Sequence, residues 1–195
     1  MQIKNARFLK SMKSNADYPS LDMPEIAICG KSNVGKSSLV NYLTNHSKLA
    51  KISSNPGKTR LVNFFVVNEE FLLVDLPGYG FARVSKTEQQ SWSQMIEGYL
   101  SHSKQLRALL LLLDIRHTPT ADDKLMFEWA AHFGISVIIV ATKADKIAKT
   151  KRFAQLNMLK KSVSGGVDYP IVAVSSSNRF GADALLDEIE KALTV

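Results

Sequence analysis

Apolar residues in this chain fall into short unbroken runs separated by stripes at helical spacing. Residues 25–29 (Glu-Ile-Ala-Ile-Cys), 106–113 and 135–140 are nearly continuous apolar runs of strand length. That is the pattern of strands buried on both faces. Leu39, Val40, Tyr42 and Leu43, and later Trp92, Met95, Ile96, Tyr99 and Leu100, recur instead on one helical face. Residues 125–133 read as a helix stopped by Gly134, 153–159 as another, 171–174 as a last strand and 184–193 as a closing helix. The runs 61–67 and 71–74, joined at Asn68-Glu69-Glu70, predict an antiparallel hairpin. Alternating strands and helices predict a three-layer α/β fold. Its sheet is about six-stranded and mostly parallel, with one antiparallel strand from the hairpin and helices on both faces.

Residues 1–23 read as a polar, basic N-terminal arm with one apolar pair, Phe8-Leu9; whether it packs or stands free is open. Residues 24–195 form a single domain without internal repeats, and 47–60, punctuated by Asn55-Pro56-Gly57, form a loop. The longest apolar run, 108–113, is far shorter than the roughly 20 residues of a membrane-spanning helix. The N-terminus lacks the apolar core of a secretory signal. A lone cysteine, Cys29, cannot form an internal disulfide and suits a reducing cytosol, so a cytoplasmic monomer is expected. The net charge of +7 is uneven: residues 1–60 carry ten Lys/Arg against three acids, whereas the rest of the chain holds fifteen of each. A second basic cluster, 143–161, has seven Lys/Arg and only Asp145. Such clusters suit a polyanion, RNA being the natural candidate, although the same lysines would also serve as a solvated surface.

The strand at 25–29 runs into Gly30-Lys31-Ser32-Asn33-Val34-Gly35-Lys36-Ser37, a G-x-x-x-x-G-K-S loop that opens a helix. Loop amides and a helix N-terminus make a cradle for phosphate, Lys36 would bridge the β- and γ-phosphates, and Ser37 would be a ligand of Mg²⁺. Other strands should end in loops of matching chemistry, because ligands of such sheets bind at the strands' carboxyl ends. Asp75-Leu76-Pro77-Gly78 would hold Mg²⁺ through the carboxylate and meet the γ-phosphate through the Gly78 amide. Thr59 would give a second hydroxyl to Mg²⁺ while the γ-phosphate is present, making 51–60 an order–disorder switch. Thr142-Lys143-Ala144-Asp145 offers a carboxylate that pairs with the ring N–H and amine of guanine but not with adenine, and Ser175-Ser176-Ser177 offers amides to guanine O6. Histidines 46, 102, 117 and 132 are scattered singly, and no nucleophile or metal-ligand cluster stands out.

The set G-K-S-N-V-G-K-S, G-K-T, D-L-P-G, T-K-A-D and S-S-S is that of translation-factor-class P-loop GTPases. The phrases Pro56-Gly57-Lys58-Thr59, Asp75-Leu76-Pro77-Gly78-Tyr79-Gly80-Phe81-Ala82 and Asp114-Ile115-Arg116-His117-Thr118-Pro119 resemble specifically the EngB (YihA/YsxC) family of bacterial GTPases, from about residue 24 to the C-terminus. The resemblance implies a G-domain fold and a Mg²⁺-dependent, weak GTPase with GTP and GDP as ligands. It also implies a part in assembly of the large ribosomal subunit or its precursor, and in normal division and septation. By motif it assigns Gly30 to Ser37 to the phosphates and Gly57, Lys58, Thr59, Arg60 and Leu61 to the first switch. Asp75, Leu76, Pro77 and Gly78 become the γ-phosphate sensor, and Thr142, Lys143, Ala144, Asp145, Val174, Ser175 and Ser176 take the guanine. Ser37, Thr59 and Asp75 would serve Mg²⁺, and Lys36, Thr59 and Gly78 would carry catalysis. Where small GTPases place a water-orienting glutamine this chain has Tyr79, so unaided hydrolysis is expected to be slow, on the order of 10⁻⁴ to 10⁻² s⁻¹. Asn33 resembles the asparagine that coordinates K⁺ in related cation-dependent GTPases, and equally suits a plain loop turn. A nucleotide-regulated protein-binding module in division, without ribosome contact, and an ATP-using P-loop enzyme are the rival readings.

Overall fold

The computed structural model describes residues 1–46, 49–50, 61–80 and 86–194. Strands β1 (Ala6–Met12), β2 (Glu25–Gly30), β3 (Val62–Val67), β4 (Phe71–Asp75), β5 (Leu106–Asp114), β6 (Ser136–Thr142) and β7 (Ile171–Ala173) form one sheet in the order β1-β3-β4-β2-β5-β6-β7. Helices α1 (Lys36–Leu43), α2 (Lys86–His102), α3 (Ala121–His132), α4 (Lys149–Ser164) and α5 (Ala182–Leu193) cover it. Only β3 runs against the rest, antiparallel to both β1 and β4, so the expected mostly parallel α/β sheet with a single reversed strand is what forms. The strand count differs: the described residues form seven strands, not about six.

The extra strand is the N-terminal segment. Asn68 holds it in place, its carbonyl accepting the Lys4 amide at 2.8 Å and its amide donating to the Gln2 carbonyl at 2.8 Å. Asn68 and Glu69 both adopt positive φ, 53° and 57°, and the Glu70 amide closes onto the Val67 carbonyl at 2.9 Å. That is the backbone of a tight hairpin turn matched to strand twist. Arg7 of β1 is spent on Glu69 at 2.9 Å. The arm's positive charge is therefore partly neutralised within the domain.

The leucine run of β5 explains the layering. Ala108, Leu110 and Leu112 point to the layer of α1 and α5, where Leu39, Val40, Leu185, Leu186 and Ile189 are buried. Leu109, Leu111 and Leu113 point to the opposite layer, with Ile96, Tyr99, Met126, Phe127, Leu159 and Val163 of α2, α3 and α4. A period of two on a strand feeds both faces of a sandwiched sheet. Buried Glu25, at the start of β2, accepts hydroxyls from Tyr18 at 2.5 Å, Tyr99 at 2.7 Å and Ser103 at 2.8 Å. A buried carboxylate is tolerated when so many donors meet it. Its end of the sheet is opposite to the one that carries the motifs. No described helix is long and apolar enough to cross a membrane.

Candidate nucleotide site

The site is built where β2, β4, β5, β6 and β7 end. β2 closes on Gly30, where a Cβ would come within 2.9 Å of the Leu112 carbonyl, so the strand can turn this close to β5 only without a side chain. The loop then runs to Gly35, the residue before α1, which stands in the left-handed region at φ 113° and caps the helix with no side chain. The first amides of α1 lack intrahelical partners by construction, and the helix end carries partial positive charge. Of the loop amides, Ser32 donates to the Tyr79 carbonyl at 2.8 Å and Val34 to the Lys31 carbonyl at 3.1 Å. Asn33 and Gly35 have no such backbone partner among the described residues, which leaves their amides, with those of the first helical turn, for an anion.

Lys36 reaches across to Asp75 of the D-L-P-G stretch, Nζ to Oδ1 at 2.9 Å, with side chains only 13% and 11% exposed. The phosphate lysine and the expected metal carboxylate are thus each other's counter-ion. The Leu76 amide binds the Ile28 carbonyl at 3.0 Å, and Gly78 lies against Gly30 and Ser32, so the sensor stretch runs beside the phosphate loop. The Ser37 hydroxyl makes no hydrogen bond to any described residue. Hydroxyl and carboxylate oxygens of this kind fit a hard cation such as Mg²⁺. Among the described residues no group of three or more His, Cys, Asp or Glu could hold a metal. Gly57, Lys58, Thr59 and Arg60 lie outside the described residues; Leu61 precedes β3.

At the other end, Asp145 accepts the Ser175 hydroxyl at 2.7 Å and pairs with Lys146 at 3.2 Å. The Ser175 hydrogen bond, more than Lys146, holds its carboxyl below the usual carboxylate range. The Ala144 amide binds the Val174 carbonyl at 3.0 Å, joining the two loops expected to take the base. Ser175 is fully buried and hydrogen-bonded to Ser177 at 2.9 Å, so it serves as a brace for Asp145.

Thr142 and Lys143 tie the two ends together. Thr142 Oγ1 donates to the Val34 carbonyl at 2.8 Å, and Lys143 Nζ donates to the Asn33 carbonyl at 2.8 Å. Lys143 pairs with Asp114 at 3.0 Å, which in turn takes Arg116 Nη2 at 2.7 Å and Nε at 2.9 Å. Burial alone would raise the Asp114 pKa, but hydrogen bonds from Arg116 and Lys143 outweigh it and hold the carboxyl well below the usual carboxylate range. This carboxylate is a positioning residue that motif reading missed, although it stands at the C-terminal end of β5, where such sheets place their working groups. Asp114→Asn should therefore weaken GDP and GTP alike, by roughly tenfold for one charge-assisted bond. Equilibrium titration checks this, and unchanged affinity would refute the role. Behind the loop, Asn33, Val34, Asp114, His117, Thr118 and Asp123 line a cavity of about 280 Å³.

Asn33 is exposed and left-handed at φ 63°. Asparagine tolerates that conformation well, so the loop turn alone accounts for it. Tyr79 turns into the core. It is buried, donates to Asp123 at 2.8 Å and packs edge-on against Trp92 at 5.7 Å. Trp92 Nε1 donates to the Pro77 carbonyl at 3.0 Å and its ring stacks on Trp129 at 6.1 Å. The two tryptophans thus belong to the core and also touch the sensor stretch. Tyr79→Phe should cost about 1–2 kcal/mol by leaving Asp123 Oδ1 without its donor, while the rate of GTP hydrolysis stays unchanged. A slower rate would give the hydroxyl a catalytic part.

Comparison with known proteins agrees with this geometry. Residues 25–143 match the family model described as a 50S ribosome-binding GTPase. The probable GTP-binding protein EngB of Clostridium beijerinckii is 48% identical over 97% of this chain and 96% of its own. That of Pelotomaculum thermopropionicum is 48% identical with the same coverage. In fold, a crystal structure of a probable GTP-binding protein EngB superposes with TM-score 0.72 at 22% identity, covering 87% of this chain and 98% of the other. Aquifex aeolicus Era bound to GDP and AlF₄⁻ gives TM-score 0.67 at 24% identity, covering 88% and 57%. With G-K-S, D-L-P-G and T-K-A-D stretches gathered at one end of the sheet and 48% identity to these relatives over nearly its whole length, the chain belongs to the EngB family of GTP-binding proteins.

Proposed function

We propose that this GTPase is a nucleotide-operated switch whose GTP form docks on the large ribosomal subunit or its precursor and whose hydrolysis releases it. The observation that carries the reading is the Lys36–Asp75 ion pair. A γ-phosphate would compete for Lys36, and Asp75, with Ser37 and Thr59, would be the residues to hold Mg²⁺, which when bound would neutralise phosphate charge. The pair must part for both to happen. Asp75 is continuous with Pro77 and Tyr79, which hold Trp92 of α2 and Asp123 of α3. A change at the phosphates therefore reaches two surface helices through hydrogen bonds already made. Asp145, braced by Ser175, selects guanine, and Lys36 and Gly78 stabilise charge on the transferring phosphoryl group. With Tyr79 packed inward, no side chain of the sensor replaces the missing glutamine, in keeping with slow unaided hydrolysis.

The ribosomal partner is supported by the description of the matching family and by the basic clusters in residues 1–60 and 143–161. A part in division and septation would follow from defective subunit assembly. The test is co-sedimentation with purified large-subunit particles in the presence of GDP or a non-hydrolysable GTP analogue. Retention is expected with the analogue only. Equal retention, or none, in the two states would overturn the switch.

A further inference from the structure

Helix α4 carries five Lys/Arg and no acid in sixteen residues. Its inner side buries Leu159 and Val163, while Lys149, Lys151, Phe153, Asn157 and Lys161 are exposed. Among the described large apolar side chains Phe153 is the most exposed, at 76%. Lys149 and Lys160 share its helical face by spacing. Lys160 is engaged by Asp168 at 2.6 Å, but Lys149, Lys151 and Lys161 make no ion pair among the described residues. Beside this face, the Arg152 guanidinium lies 4.6 Å from the ring centroid of Phe180, itself 43% exposed. Phe180 belongs to the loop behind the guanine-facing serines, its carbonyl accepting the Ser175 amide at 3.0 Å.

A bilayer would require a continuous apolar face, and here the apolar side of α4 is already used by the core. An exposed aromatic ring near the unpaired Lys149, Lys151 and Lys161 fits a different occupant. An unpaired base stacks on the ring, and its neighbouring phosphates meet the lysines. We propose that the outer face of α4, with the Arg152–Phe180 stack at its side, docks single-stranded RNA and that Phe153 is its base-stacking platform. The choice of RNA rests on the ribosomal partner proposed above. The surface adjoins the base end of the nucleotide site rather than the phosphate end, so the platform is present in GDP and GTP forms alike.

The experiment is fluorescence anisotropy of a labelled, unstructured 12-nucleotide RNA with the full chain saturated in GDP. Phe153→Ala should weaken binding by roughly 5- to 100-fold, the worth of one stacked base. Phe153→Trp should preserve affinity. The triple variant Lys149→Gln, Lys151→Gln, Lys161→Gln should lower the slope of log affinity against log salt by about 2, the value for three phosphate contacts on a single strand. GDP affinity, read in the same preparations, should not move, since none of these residues faces the nucleotide. If Phe153→Ala binds this RNA as tightly as wild type, the platform is refuted, even where wild type still co-sediments with ribosomal particles. If binding of the RNA depends on Phe153 while wild type co-sediments with no particle, the platform stands and the ribosomal reading falls. Tighter binding of the DNA oligonucleotide of the same sequence would overturn the assignment to RNA.

Discussion

Asp145→Asn is expected to lower GTP affinity on the order of 10⁴-fold, the discrimination that a hydrogen-bond-matched site gives, and to raise affinity for xanthosine nucleotides. The carboxylate offers two acceptors to the paired donors of guanine. An amide offers one acceptor and one donor, so its N–H₂ meets the guanine amine head-on, whereas the carbonyl that replaces this amine in xanthine accepts from it. The residue is well placed for so large an effect. Ser175, buried and hydrogen-bonded at 2.7 Å, fixes one oxygen, and the Ala144–Val174 bond fixes the loop. Stability without ligand should change little, because the protein partner of the other oxygen is the largely exposed Lys146. Competition titration with GTP, XTP and ATP decides the matter. A variant that keeps GTP and gains nothing for XTP would remove Asp145 from the base site.

Lys36→Ala is expected to act twice. It removes the bridge to the β- and γ-phosphates, so GTP should no longer raise the melting temperature. It also strands Asp75 in a largely buried position, where breaking an ion pair from one side costs about 3 kcal/mol. In a domain of this size that is roughly 6–12 °C in Tm without any nucleotide. The double variant Lys36→Ala, Asp75→Ala should recover most of that loss yet remain unable to bind GTP. Calorimetric scans of wild type, both single variants and the double variant separate the two effects. A single variant as stable as wild type would show that the ion pair contributes nothing to the free protein.

What the chain spelled out, and what it concealed, follows from how far apart the interacting residues lie. The run at 106–113 announces a strand because all its neighbours are apolar, and the loop at 30–37 announces phosphate because its chemistry is in the backbone and adjacent residues. β1 was open as an arm because Ala-Arg-Phe-Leu-Lys-Ser-Met has neither a continuous apolar run nor clean alternation. Its place depends on Asn68, more than sixty residues away. Asp114 and Asp123 escaped for the same reason. Their meaning lies in Lys143, 29 residues further on, and in Tyr79, 44 residues back. Apolar spacing predicts only 153–159 of helix α4, which runs Lys149–Ser164, because its ends are polar. Tyr79 was legible as a departure from the glutamine pattern, but not as a core residue, since a single aromatic gives no direction.

The pairing of β1 with β3 also sets an order of events in synthesis. β1 leaves the translation machinery well before Val62–Val67 exists and must remain unpaired while the phosphate loop and first helix are made. Until it docks, the hairpin presents the open edge of Val62–Val67, the kind of bare margin along which two chains stick together. A version beginning at residue 13 would keep every residue of the candidate nucleotide site and still tend to pair with copies of itself, which makes this short N-terminal strand a guardian of solubility.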